Sequence, residues 1–234
     1  MRVVFNKIYT FAGVKKRGMT KLVIFDLDGT LLNTIDDLAT STNYALQCAG
    51  YPQHDLLAYR YFVGNGINKL IERALPYDKK NETEVAKLRK DFVEYYERHM
   101  SDLTKPYDGI VSLLENLQAQ GIAIAVASNK YQEATRALVA KFFPQIHFVA
   151  VFGQREGIVP KPDPTIVFDI LQIAGVEKDE VLYVGDTNVD MTTARNGGVR
   201  SVGVTWGFRP QLELEESGAN SIVHHPDDIL ALLQ

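Results

Sequence analysis

At 234 residues, with 46% hydrophobic and 23% charged residues, the chain has ordinary globular composition and enough length for one large domain or a core with an insertion. The formal net charge of -4 argues against broad attraction to nucleic acid or anionic lipid, while a local basic pocket remains compatible with it. A single cysteine, Cys48, excludes an internal disulfide and points to a reducing cytoplasm, and no stretch reaches the roughly twenty apolar residues of a membrane span.

Residues 1–18 carry Arg2, Lys7, Lys15, Lys16 and Arg17 around a mildly apolar stretch too short for a secretory signal. Met19 offers an alternative start that would leave residues 1–18 as an extension. The run Leu22-Val23-Ile24-Phe25 then suits a strand covered on both faces, and it delivers Asp26 and Asp28 into a turn at Gly29. An extended chain through Leu27 projects the two carboxylates to one side, and a glycine turn exposes amides to an anion. By itself this pattern more often marks an ordinary Asp-Gly turn.

Residues 33–49 read as a helix with Asp36 and Asp37 in its first turn, stopped by Gly50 and Pro52. Further helices are expected at 55–62, 67–74 and 82–100, with Val63-Gly64-Asn65-Gly66 as a joint, so that 34 to about 105 is helical and strandless. From 106 onward the pattern alternates. Helices are expected at 110–120, 132–142, 165–174, 190–196 and 227–232, and strands at 122–127, 148–152, 181–184, 201–205 and 222–223. The organisation expected is an α/β core of 19–33 and 106–234 with a parallel sheet, carrying an inserted helical cap of 34–105. The insert leaves beside the carboxyl end of the first strand, where ligands bind in open α/β sheets, so it can act as a lid.

The later strand ends supply partners for the Asp pair. Ser128 ends one strand, Lys161 lies in a loop stiffened by Pro160, Pro162 and Pro164, and Gly185-Asp186 ends another. Singly these residues are weak signals: Ser128 is equally a helix cap, Lys161 a loop charge and Asp190 a helix start. Together they suit cleavage of a phosphate monoester by a carboxylate nucleophile. Asp26 attacks phosphorus, Asp28 serves as acid and then base, and Lys161 and Ser128 stabilise the transferring group. Mg²⁺ fits an all-oxygen set of Asp26, the Asp28 carbonyl and Asp186, with Asp190 orienting Lys161 or a water on the metal. All three groups must meet one phosphoryl, and strands lie about 4.8 Å apart, so the first strand should be central between those ending at Ser128 and Asp186.

Asp26-Leu27-Asp28-Gly29-Thr30, Ser128, Lys161 and Gly185-Asp186-Thr187-Asn188-Val189-Asp190 resemble, in order, the four motifs of the haloacid dehalogenase superfamily. The resemblance implies a Rossmann-like core, a Mg²⁺ requirement and a helical cap inserted after the first motif. Leu31-Leu32-Asn33-Thr34-Ile35-Asp36-Asp37-Leu38, Val63-Gly64-Asn65-Gly66, Ser128-Asn129-Lys130 and Gly203-Val204-Thr205-Trp206-Gly207 are similar to the phosphoglycolate phosphatase subgroup. Expected substrate contacts are Gly29, Thr30, Asn129, Gly64, Asn65, Gly66 and Asn43. The expected partner is a small phosphorylated metabolite, with no nucleic acid and no membrane, handled by a monomer or homodimer. Alternatives are a phosphosugar mutase sharing the aspartyl phosphate, and a non-catalytic phospholigand-binding protein. Lys69 raises a Schiff-base carbon-phosphorus hydrolase, which the setting after Val63-Gly64-Asn65-Gly66 disfavours. His54, His99, His147, His224 and His225 lack metal-ligand spacing.

Overall fold

Leu22–Phe25 forms β1, and its alternating side chains enter two different cores: Val23 and Phe25 on one face, Leu22 and Ile24 on the other. The protein's structure is a computed structural model, which describes residues 19–234. The expectations about residues 1–18 lie outside the described residues. After β1 come β2 (Leu32–Asn33) and the helices α1 (Ile35–Cys48), α2 (Leu56–Phe62), α3 (Gly66–Ala74) and α4 (Glu82–His99). The chain continues through β3 (Lys105–Pro106), α5 (Ile110–Ala119), β4 (Ala123–Tyr131), α6 (Gln132–Phe142), β5 (Ala150–Gln154) and α7 (Thr165–Ala174). It ends with β6 (Val181–Gly185), α8 (Asn188–Gly197), β7 (Arg200–Val204), α9 (Gln211–Glu216), β8 (Ser221–Val223) and a 3₁₀ turn at Pro226–Leu232.

Six strands pair in parallel in the order β5-β4-β1-β6-β7-β8. β1 is therefore central between β4 and β6, as the meeting of their ends at one phosphoryl group requires. Helices cover both faces. Leu113, Leu114 and Leu117 of α5 pack against Val23, Phe25 and Val126, while Ile166, Val167 and Ile170 of α7 pack with Leu22, Ile24 and Tyr183. This is an α/β fold of Rossmann type. Among the described residues no helix is long and apolar enough to cross a membrane.

The helices α1 to α4 build a separate apolar cluster around Leu38, Leu46, Tyr59, Ile71, Leu88, Phe92 and Tyr96. Their excursion is closed at its base by the antiparallel pairing of β2 with β3, Leu32 opposite Pro106 and Asn33 opposite Lys105. That short ladder has no counterpart in the sequence pattern, because two residues are too few to carry one. Asp37 does more than favour its helix start: it is buried, and its carboxylate accepts from the amides of Leu103 and Thr104 at 2.8–3.1 Å, tying the returning chain to α1.

One strand departs usefully from its expected length. β4 does not stop before Ser128 but runs on to Tyr131, with its register against β5 shifting between Ala127 and Tyr131. The apolar pattern ends at Ala127 while the backbone stays extended, because Ser128, Asn129 and Lys130 line a cavity rather than a core. Ser128 does not cap α6, whose N-cap position is Tyr131. The helix α9 is not legible in the sequence either, since three of its six residues are glutamates and only two are leucines.

Candidate active site

The carboxyl ends of β1, β4 and β6 bring Asp26, Ser128 and Asp186 together. Asp26 donates its backbone amide to the Val184 carbonyl at 2.9 Å and turns its carboxylate away from Leu27, which is fully buried in the opposite core. Lys161 reaches in from the loop after β5. Its ammonium lies 3.0 Å from Asp26 Oδ1 and 2.7 Å from Asp190 Oδ1, and it donates to the Ala127 carbonyl at 2.9 Å. Asn129 fixes this lysine through its backbone, accepting from Lys161 N at 2.8 Å and donating to Lys161 O at 3.0 Å.

Asp186 is held at both oxygens. Thr30 donates its hydroxyl to Oδ1 at 3.2 Å, and the Phe208 amide donates to Oδ2 at 2.8 Å. Gly29, with φ of 86°, and Gly207 close around this carboxylate so tightly that a Cβ at either position would run into it. Asp190 is likewise committed, its Oδ2 accepting from the amide and hydroxyl of Thr187 at 3.1 and 2.7 Å in a capping box that opens α8.

Asp26, Asp186 and Asp190 present oxygens within 4.8 Å of one another, all buried. Three carboxylates there face the single ammonium of Lys161, leaving a formal excess of two negative charges in a buried site. Burial, with the charges of Asp190 and Asp28, pushes the Asp26 carboxyl up to about 7 against the pull of Lys161. Burial and the neighbouring Asp190 and Asp26 raise Asp186 well above the usual carboxylate range. Lys161 is held above its ordinary range: burial works against its charge, but Asp190 and Asp26 more than offset this. Asp26 Oδ1 makes no hydrogen bond, although it is in ion-pair range of Lys161. A bare carboxylate oxygen, an all-oxygen donor set and two uncompensated charges fit a hard divalent cation. Asp26, with its bare oxygen, and Asp186, whose oxygens each accept only one bond from a neutral donor, are the carboxylates with capacity to hold it, whereas Asp190 gives one oxygen to the Lys161 ammonium and the other to two donors of Thr187.

Asp28 faces the same cavity as Asp26 but has a different partner. Lys130 donates to its two oxygens at 3.0 and 3.2 Å. The cavity is lined by Asp26, Asp28, Ser128, Asn129 and Lys130 on the sheet side and by residues of α1, α3, α4 and their joint opposite. The Ser128 hydroxyl accepts from Lys130 N at 3.2 Å, which leaves its proton for a ligand. The sequence pattern singles out Lys130 only as part of a tripeptide. A signal for it exists all the same: on an extended strand, positions 128 and 130 share a face.

The remaining expected contacts divide. Gly64 and Gly66 line the cavity, and the Gly64 carbonyl accepts from Asn129 Nδ2 at 3.1 Å. Asn129 is thus a brace between two backbone segments. The Gly29 amide donates to the Leu32 carbonyl at 2.8 Å and that of Thr30 to Leu27 at 3.3 Å, so neither exposes an amide to an anion as the turn suggested. Gly29 and Thr30 do not line the cavity, nor do Asn43 and Asn65. Asn43 bonds the backbone of His54 and the Tyr59 hydroxyl, and Asn65 accepts from Arg73. Both are asparagines whose polar capacity organises the helices. Lys69 pairs with Glu72 in solvent, far in character from a buried Schiff-base lysine. His54 bonds the Ala74 carbonyl, and no histidine lines the cavity among the described residues.

A family model for haloacid dehalogenase-like hydrolases matches residues 23–204. A phosphoglycolate phosphatase of Mesorhizobium japonicum is 30% identical over 208 residues, 88% of this chain and 91% of that protein. One of Haemophilus influenzae is 32% identical over 219 residues, 91% of this chain and 98% of its own length. Among solved structures, a protein of Lactobacillus delbrueckii subsp. bulgaricus assigned as a phosphoglycolate phosphatase superposes with a TM-score of 0.87 at 30% identity, over 92% of this chain and 99% of that one.

Proposed function

The chain belongs to the haloacid dehalogenase-like hydrolases and is a phosphatase, and from that membership we propose that it hydrolyses a small phosphorylated metabolite, 2-phosphoglycolate foremost, by way of a phosphoryl group carried on Asp26. The observation that carries this reading is the pair of carboxylates on one cavity with separate cations, Asp26 against Lys161 and Asp28 against Lys130. Two acids so divided can take two roles.

In the first step Asp26 attacks phosphorus, a P–O bond to its carboxylate forms, and the ester P–O bond breaks with its electron pair on the leaving oxygen. Asp28 donates the proton that this oxygen needs. In the second step Asp28 takes a proton from water as its oxygen attacks the aspartyl phosphate, releasing inorganic phosphate and restoring Asp26. Ser128 Oγ donates to a phosphoryl oxygen, and Lys161 balances charge on Asp26. Asp26, Asp186 and the Asp28 carbonyl would hold a hard divalent cation such as Mg²⁺, which would supply the further positive charge an anion needs to approach a phosphate dianion. Asp190 acts on the reaction through Lys161.

The helices α1 to α4 serve as a cap over this site, spanning about 34–105. Their own apolar cluster, the paired stems β2 and β3, and a few polar ties to the core support that role. The ties are Asn129 to the Gly64 carbonyl, Arg60 to that of Gly207, and Arg209 to those of Tyr61 and Val63.

Asp26→Asn is the direct test, with Mg²⁺ and 2-phosphoglycolate as substrate. Turnover should fall at least about a thousandfold, on the order of 4 kcal/mol of barrier. Near-normal turnover in that variant sinks the mechanism. Free phosphate appearing with each substrate consumed separates hydrolysis from isomerisation by a phosphosugar mutase.

A further inference from the structure

Past Val204 the chain leaves β7 and forms neither helix nor strand until α9 begins at Gln211. Trp206, Gly207, Phe208 and Arg209 lie in that stretch, and none of them has a part in the chemistry described above. Toward the sheet, the Trp206 indole donates to the Thr30 carbonyl at 3.0 Å, Gly207 closes on the Asp186 carboxylate, and the Phe208 amide donates to Asp186 Oδ2 at 2.8 Å. Thr30 completes the hold on Asp186 by donating its hydroxyl to Oδ1. Toward the helices, the Gly207 carbonyl accepts from Arg60 of α2 at 2.8 Å, and Phe208 is buried in the apolar cluster of α1 to α4. Arg209 donates to the Tyr61 and Val63 carbonyls at 3.3 and 3.1 Å, with its guanidinium 5.1 Å from the centroid of the Tyr61 ring.

Two of these residues face both ways. Gly207 abuts Asp186 and offers its carbonyl to Arg60, while Phe208 gives its amide to Asp186 and its side chain to the helices. With no ladder or helical turn of its own, the stretch takes its position from what it touches. A swing of the helices that carries Phe208 and Arg209 along draws the Phe208 amide off Asp186. Conversely, a cation on Asp186 fixes the carboxylate on which that amide rests.

We propose, on the reading of Asp186 as a ligand of the cation and of α1 to α4 as a cap, that residues 206–209 form a strap linking the two. Phe208 and Arg209 are positioning residues for Asp186: the cation is held more tightly when the cap is closed, and once bound it favours the closed cap. Linkage of this kind is reciprocal, so one factor governs both effects. Closure over a substrate thereby sets Asp186 at the moment the phosphoryl charge must be balanced.

Trp206 is the one tryptophan of the chain, so its emission reports on the strap. Titration of Mg²⁺ into the substrate-free protein should change that emission and yield a Kd. In Arg60→Ala/Arg209→Ala the Kd should rise about five- to tenfold, within the usual range of coupling between sites. Amide exchange gives the reciprocal measurement: Mg²⁺ should slow exchange at residues 56–66 of the cap in the parent protein by a similar factor, and leave it unchanged in the double variant. Arginines with a merely structural role would, when removed, speed exchange with and without Mg²⁺ alike and preserve the response to the cation. An emission that ignores Mg²⁺, an unaltered Kd in the variant, or cap exchange in the parent that does not respond to Mg²⁺ overturns the strap. Should the double variant lose its native circular dichroism, Arg60→Ala alone, at an exposed side chain, is read against the same outcomes. Neither measurement uses substrate. Linkage without phosphate release from 2-phosphoglycolate leaves the strap standing and refutes that substrate, whereas phosphate release without linkage overturns the strap alone.

Discussion

Lys161 is the side chain on which the charges of the site balance. It is almost entirely buried, touches two carboxylates and is locked through its backbone by Asn129. Removing it as Lys161→Met leaves Asp26 and Asp190 buried without their cation, and this should lower unfolding free energy at neutral pH by about 3–5 kcal/mol in urea titrations. Asp26 imposes the opposite dependence. Its carboxyl, raised to about 7 in the folded protein from 3.8, holds a proton that the unfolded chain releases. The folded state therefore binds more protons across that window, so stability falls as pH rises from about 4 to about 7 and levels above it. In the metal-free protein, melting temperature should follow that decline, and Asp26→Asn should make it shallower while the raised carboxyl of Asp186 keeps part of it. Addition of Mg²⁺ should raise the melting temperature more at pH 8 than at pH 5, since protonated carboxyls bind the cation poorly. Equal shifts at both values would contradict the assignment of Asp26 as a ligand.

Much of the behaviour of the strands and helices is set by where a polar pattern replaces an apolar one. β1 is legible because four apolar residues in a row suit a strand buried on both faces. β4 is legible only to Ala127, because Ser128, Asn129 and Lys130 carry no strand periodicity and their extended backbone is set by contacts to Lys161 and Asp28. In α1 the acids of the first turn are readable, but the bonds of Asp37 to residues 103 and 104 join points far apart in sequence. Asp37→Ala would leave two amides without partners at the base of the excursion. It should cost about 1–3 kcal/mol in equilibrium unfolding. Asp37→Asn, which retains one acceptor, should recover part of the loss.

The packed group of α1 to α4 meets the sheet at a polar seam. Arg60 donates to the Gly207 carbonyl at 2.8 Å, and Arg209 reaches back to those of Tyr61 and Val63 at 3.3 and 3.1 Å. Gly207 itself abuts Asp186, so the seam runs to the site. These charged donors on carbonyls accompany apolar packing, since Ala134 and Phe208 of the core share the buried cluster of α1 to α4. The double variant Arg60→Ala/Arg209→Ala should speed amide exchange in residues 56–75 while β1 and β6 keep their protection. The KM for 2-phosphoglycolate should rise several-fold in the same variant. Uniform loss of protection throughout the chain would instead indicate general destabilisation.

The α/β alternation, the long helical excursion and the four groups of polar residues are written in local pattern and spacing, because strand burial, helix period and strand-end chemistry are properties of neighbouring residues. Tertiary structure alone decided how those groups are shared. Asp190 bonds Lys161, Asp28 is matched to Lys130, and Asn129 is a brace, because each partner arrives from a different strand or loop. It also decided that Asn43 and Asn65 stay within the helices while Tyr96 and Tyr131 reach the cavity. An asparagine or a tyrosine looks the same in sequence whether it braces neighbouring helices or lines a cavity, and only the packing around it tells the two apart.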